Sequence, residues 1–202
     1  MKPSHRTAAL AVTAAGCAVA FSLQGTQAAF TATTTSIGTF TAGSVKLSDN
    51  DVTNDVLLNV GPLAQGASGE KCITVTYEGT LASNIRLHVA VAETDGGSDG
   101  MLLDTHLDIK VDYGTAGAWA NCAGFSAVSR VYSGSLADMR TTALDFDTAK
   151  KLGTAGTADW TPAPPTDMVR VFKFTYKLAD EAPNTVQGDT AVATFTWRAE
   201  TP

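Results

Sequence analysis

Alternation of apolar and polar positions dominates this chain. Ile85, Leu87, Val89 and Val91 alternate with Arg86, His88, Ala90 and Ala92. Leu107, Ile109, Val111 and Tyr113 alternate with Asp108, Lys110 and Asp112, and Phe172, Phe174, Tyr176 and Leu178 with Lys173, Thr175 and Lys177. Successive side chains of a strand point to opposite faces, so each run predicts a half-buried β-strand. Cys72–Tyr77 predicts another, with Ile73, Val75 and Tyr77 on one face and Cys72, Thr74 and Thr76 on the other. Shorter strands are expected at Val45–Leu47, Val56–Val60 and Val128–Tyr132. Thr190–Trp197 closes the series, and the lapse in its alternation at Ala193-Thr194 suggests a bulge.

The breaks between these runs carry turn chemistry. Ser48-Asp49-Asn50-Asp51 is a predicted turn, because Asn and Asp side chains bond their own backbone. Gly61-Pro62 and Thr161-Pro162-Ala163-Pro164-Pro165 interrupt any regular element. Gly114–Gly124 is a loose Gly- and Ala-rich stretch, and Leu136–Leu152 holds the one helical spacing, enough for a short helix in a crossing loop. About eight short strands separated by turns predict an all-β, antiparallel, jelly-roll-like β-sandwich. No repeat of fixed period is visible, which argues against a solenoid.

The amino terminus reads differently. Lys2 and Arg6 precede an uncharged, Ala-rich stretch from Ala8 to Leu23, and small residues follow at Ala28-Ala29. This is the layout of a secretory signal, expected over residues 1–29. The stretch is short for a permanent span, which wants about 20 strongly apolar residues. Ala14-Ala15-Gly16-Cys17 offers a lipoprotein cleavage box as an alternative, although the apolar run continues past Cys17. Residues 30–43 form a Thr-rich, charge-free arm or donor strand, and residues 44–202 form the sandwich domain.

Charge and cysteines refine this picture. The formal net charge is −6, and losing Lys2 and Arg6 with the signal makes the chain more acidic. No cluster of Lys and Arg is present to neutralise phosphates, which argues against nucleic acid. Cys72 and Cys122 remain after processing, and two cysteines in an oxidising compartment most simply form one disulfide. Such a bridge stabilises a fold by about 3–4 kcal/mol on the chain-entropy model.

Ala29-Phe30-Thr31-Ala32-Thr33 and Thr39-Phe40-Thr41-Ala42-Gly43-Ser44-Val45-Lys46-Leu47 resemble the start of the TasA/camelysin family. Gly61–Gly69 with Ile73–Leu81 is similar to its central hairpin, and Gln187–Glu200 to its closing strand. The family hairpin usually carries Asn before Gly, where this chain has Glu78-Gly79, and the cysteine pair is not general to the family. The resemblance implies a jelly roll exported through a specialised signal peptidase. It also implies a role at the cell surface or in extracellular matrix, where some members form biofilm fibres by completing a neighbour's sheet with an amino-terminal strand. Other members carry a metallo-endopeptidase label.

Candidate chemistry is sparse. A zinc protease needs about three ligands in fixed geometry. The best set is His88, His106 and Asp108, on the polar phases of runs that look like neighbouring strands, against the plainer reading of solvent-facing histidines. Asp49, Asp51 and Asp55 crowd oxygens as a calcium loop would, and Asp95, Asp99 and Asp104 do so less densely; neither has EF-hand spacing, so an ordinary acidic turn remains the alternative. Trp119, Trp160 and Trp197 are candidates for a sugar-binding face or for core. No cofactor is called for beyond those calcium and zinc candidates. The expected partners are further copies of the chain or a matrix or cell-surface protein, with no membrane span after processing. The arm at 30–43 suits strand addition, because it has Ile37, Phe30 and Phe40 but neither charge nor proline; folding back on its own domain is the other outcome.

Overall fold

The computed structural model describes residues 43–50, 63–96, 100–119 and 121–202. The expected signal and arm, apart from Gly43, lie outside the described residues, as do Cys17, the strand expected at Val56–Val60, and Asp51, Asp55 and Asp99.

Eight strands are described: β1 (Leu47–Asp49), β2 (Ser68–Tyr77), β3 (Asn84–Thr94), β4 (Leu107–Thr115), β5 (Ser126–Ser135), β6 (Lys150–Lys151), β7 (Val169–Leu178) and β8 (Thr190–Glu200). They form a five-stranded sheet in the order β1-β2-β7-β4-β5 and a three-stranded sheet in the order β6-β3-β8. Every pairing is antiparallel. The mostly-β, antiparallel sandwich expected from the alternation is present.

The inward phase of each strand is the one that the apolar residues mark. Ile73, Val75 and Tyr77 of β2, Ile109 and Val111 of β4, and Phe172 and Phe174 of β7 are buried. They share one core with Ile85, Leu87 and Val89 of β3. The two sheets meet through aromatic rings: Phe172 lies 5.8 Å from Trp197 and Phe174 lies 4.7 Å from Phe195, centroid to centroid. Such tilted pairs satisfy the ring quadrupoles better than a face-to-face sandwich does.

One boundary and the place of the bulges differ from expectation. Ser48 and Asp49 belong to β1 rather than to a turn, because Leu47, Ser48 and Asp49 pair with Tyr77, Thr76 and Val75. The side chain of Asn50 then accepts from the Thr74 N–H at 2.9 Å. β8 runs in unbroken register against β3, so the bulge expected at Ala193-Thr194 is absent. Ala193 is simply a small core residue, and Val192 an apolar residue on the outer phase. The register shifts occur instead between β4 and β5, at Val111/Asp112 and Tyr113/Gly114.

The one described α-helix, α1 (Leu136–Thr142), starts where Ser135 accepts from the Asp138 N–H at 3.0 Å. That is the usual reason for Ser at an N-cap. Leu136 and Met139 face the core, and the chain then passes along β3, where Lys150–Lys151 adds the two-residue β6.

Candidate functional site

The three-stranded sheet ends at β8. Among the described residues β8 pairs on one side alone, with β3, over eleven consecutive positions from Thr190 to Glu200. An unpaired strand side presents a row of N–H and C=O groups that template another strand. Beside it a cavity of about 930 Å³ opens between the sheets. Leu107, Ile109, Tyr176 and Leu178 line it from the five-stranded side, and Ala191 and Ala193 from β8. Val192, half-exposed at 51%, stands at its rim. Backbone donors and acceptors next to an apolar trough are what an added strand needs: the first for the ladder, the second for alternate side chains.

The outer face of β2 is pinned. Cys72, on the outer phase of β2, is bonded to Cys122, with their Cα atoms 5.1 Å apart. Val171 and Phe125 pack over the bridge. The loose stretch before β5 is thereby fixed to the middle of the five-stranded sheet.

The histidine set does not converge. Leu87 and Val89 are core residues, so His88 between them faces outward from the three-stranded sheet. Leu107 and Ile109 are core residues of the other sheet, so Asp108 faces outward there and is exposed. The core separates the two. His106 sits at the start of β4, where its carbonyl accepts from the Ala179 N–H at 2.9 Å. The expectation of neighbouring strands fails because β3 and β4, adjacent in sequence, belong to different sheets. Asp49 is at the end of β1, and its proposed partners Asp51 and Asp55 lie outside the described residues.

His88 also lies close to a positive charge. Its Nδ1 is buried and has no partner among the described residues. Burial and the Arg198 guanidinium hold its pKa below the usual 6.5, against a smaller opposing pull from Asp145. Arg86, one turn of the pleat away, is bound by Asp159 through Nε–Oδ1 at 2.6 Å and Nη2–Oδ2 at 3.1 Å, and its guanidinium lies 4.6 Å from the Phe146 ring centroid.

The three tryptophans do not share a face. Trp160 is fully buried, with Nε1 donating to the Asp167 carbonyl at 2.9 Å and its ring 6.0 Å from Phe172. Trp197 is wedged against Phe172 and Phe174, and Trp119 packs on the same core. Trp160 is a core residue and the other two pack against the core while partly exposed, which follows the core alternative.

Sequence reasoning missed one polar constellation. Glu93 continues the inward phase of β3 beyond Val91, and it approaches Asp104, Asp189 and Arg140. Its signal in the sequence was a carboxylate in the apolar phase of an otherwise regular strand.

Taken together, these features define a disulfide-bridged antiparallel β-sandwich with a one-sided closing strand and its histidines dispersed. No described helix is long and apolar enough to cross a membrane. The chain belongs to the camelysin metallo-endopeptidase family, whose model matches residues 5–201. No curated protein matches it. The family description implies a metal ion. Among the described residues no three His, Cys, Asp or Glu side chains are placed to hold one. With His88 beside Arg198 and apart from Asp108, the residues described do not fit a metal centre.

Proposed function

We propose that this chain is an exported surface or matrix protein that acts by self-association, with residues 30–43 of one copy adding to the free side of β8 in the next. The observation that carries this reading is the one-sided pairing of β8 beside the apolar trough. Reach is adequate: at about 3.3 Å per residue, a 14-residue arm extends to about 46 Å, more than the 11 residues of β8 require. Phe30 and Phe40, on the same phase of an extended strand, provide apolar side chains for the trough, and the absence of charge and proline keeps the arm compatible with a ladder. Head-to-tail addition does not close on itself, so it produces filaments. On this reading residues 1–29 are the removed signal.

Electron microscopy of chain beginning at Phe30 should show filaments, and deletion of residues 30–41 should abolish them while circular dichroism stays β-rich. Filaments that survive the deletion reject strand donation by the arm. Monomers from both proteins reject self-association itself.

The family description favours a second reading, a cell-surface metallo-endopeptidase. Casein cleavage by the pure chain, abolished by a chelator, would establish it.

A further inference from the structure

Where the short 3-10 turn Leu103–Thr105, α1 and the start of β8 come together, the fold buries acid against acid. Asp104 has a side chain with no exposed surface; its Oδ2 accepts from Arg140 Nε at 2.7 Å, and its Oδ1 has no partner among the described residues. Asp189 accepts the Gly96 N–H at 2.8 Å through Oδ1, and its Oδ2 is likewise buried and partnerless among those residues. Both oxygens of Glu93 are buried without a hydrogen bond of full geometry, although the Asp104 N–H lies near enough to favour their charge. Glu93 pairs across the ladder with Ala191, two residues from Asp189. Three carboxylates thus face one guanidinium, and four of their oxygens lack a full hydrogen bond.

A buried carboxylate without donors is costly unless it is neutralised. A proton can neutralise such a group in place. The groups around Glu93 decide where that proton sits. Burial acts first, followed by the charge of Asp104; the Asp104 backbone N–H and Arg140 favour the ionised form, and Asp189 opposes it. The balance raises Glu93 from 4.5 to about 7.

We propose that this corner is a proton-operated latch, closed while the Glu93 carboxyl is neutral and opened when it gives its proton to solvent. In the closed form the neutral carboxyl adds an O–H donor to a corner rich in bare acceptors. In the open form three like charges meet a single Arg140, and the turn at Leu103–Thr105 separates from the start of β8. The proposal stands on these contacts and holds whether or not the chain assembles.

The sign follows from proton linkage. The closed corner holds the Glu93 proton up to about pH 7, and the open corner loses it near the ordinary value of 4.5. Raising pH between those values therefore favours opening, by at most about tenfold per pH unit for a single proton, with a plateau above the upper one. Amide hydrogen exchange on the full chain, corrected for the intrinsic chemistry, should show this loss of protection in residues 100–106 and 189–193 and not in β2 or β7. Glu93→Gln, which keeps the shape of the neutral acid, should stay protected across the range. Asp189→Asn, by removing one repelling charge, should bring the plateau to lower pH. A pH dependence that persists in Glu93→Gln overturns the latch. So does calcium chloride that closes the corner in the unmodified chain but not in Glu93→Gln, since a metal would then be its cation.

Discussion

The ring of Phe174 on β7 meets the ring of Trp197 on β8 edge-on, at 6.1 Å between centroids and 85° between planes. The contact crosses from one sheet to the other, and Phe174 is fully buried. Phe174→Ala should therefore cost about 3–5 kcal/mol, the usual range for emptying an aromatic core site. Urea unfolding followed by tryptophan fluorescence will measure it, and a loss under 1 kcal/mol would show that the sheets do not depend on this contact.

The Cys72–Cys122 bridge closes 50 residues of chain, including β3 and β4. Replacing both cysteines by Ala should lower stability by about 2–4 kcal/mol, with a matching fall in thermal midpoint when the native chain is reduced. Equal midpoints with and without reductant would mean that Val171 and Phe125 hold the 116–124 stretch unaided.

His88 contributes a slope on the acid side. Burial, reinforced by Arg198, holds its folded pKa below the unfolded value of 6.5. As pH falls through 6.5 the unfolded chain takes up a proton that the folded chain still refuses, so stability drops. His88→Gln should make the decline of thermal midpoint below pH 6.5 shallower. An NMR titration of the His88 ring that finds a midpoint above 6.5 would contradict the assignment.

Val192 tests the association edge without disturbing the core. Its side chain is half-exposed on the outer phase of β8, so Val192→Lys should leave the folded domain within about 0.5 kcal/mol of the parent, as surface substitutions do. A charge on an unpaired edge discourages strand addition, and filament yield should fall. An unchanged yield would place the contact elsewhere.

The strands that a reader could find were those with one wet face. β3, β4 and β7 alternate cleanly because one side packs and the other meets solvent, and α1 betrayed itself through Leu136 and Met139. β6 was invisible: Lys150 and Lys151 pair with Leu87 and Arg86 through the backbone, so their side chains carry no pattern. Ser48 and Asp49 read as a turn because local side-chain chemistry favours one, and pairing with β2 overrides it. The site was less legible than the fold. Proximity in a sandwich depends on which sheet a strand joins, and nothing local told that His88 and Asp108 would be parted by the core. The corner at Glu93, Asp104 and Asp189 draws on three distant stretches, and only the misplaced acid on β3 hinted at it.

Strand order also governs when the molecule can come into being. β2 waits for β7, and β3 for β8, so neither sheet has its central ladder until residues 169–200 exist. A chain made amino end first can pair β1 with β2 and β4 with β5 early, but it completes neither sheet before its last two long strands. Truncation before Thr190 is therefore a lesion of the whole sandwich, since β3 would lose its eleven-residue mate.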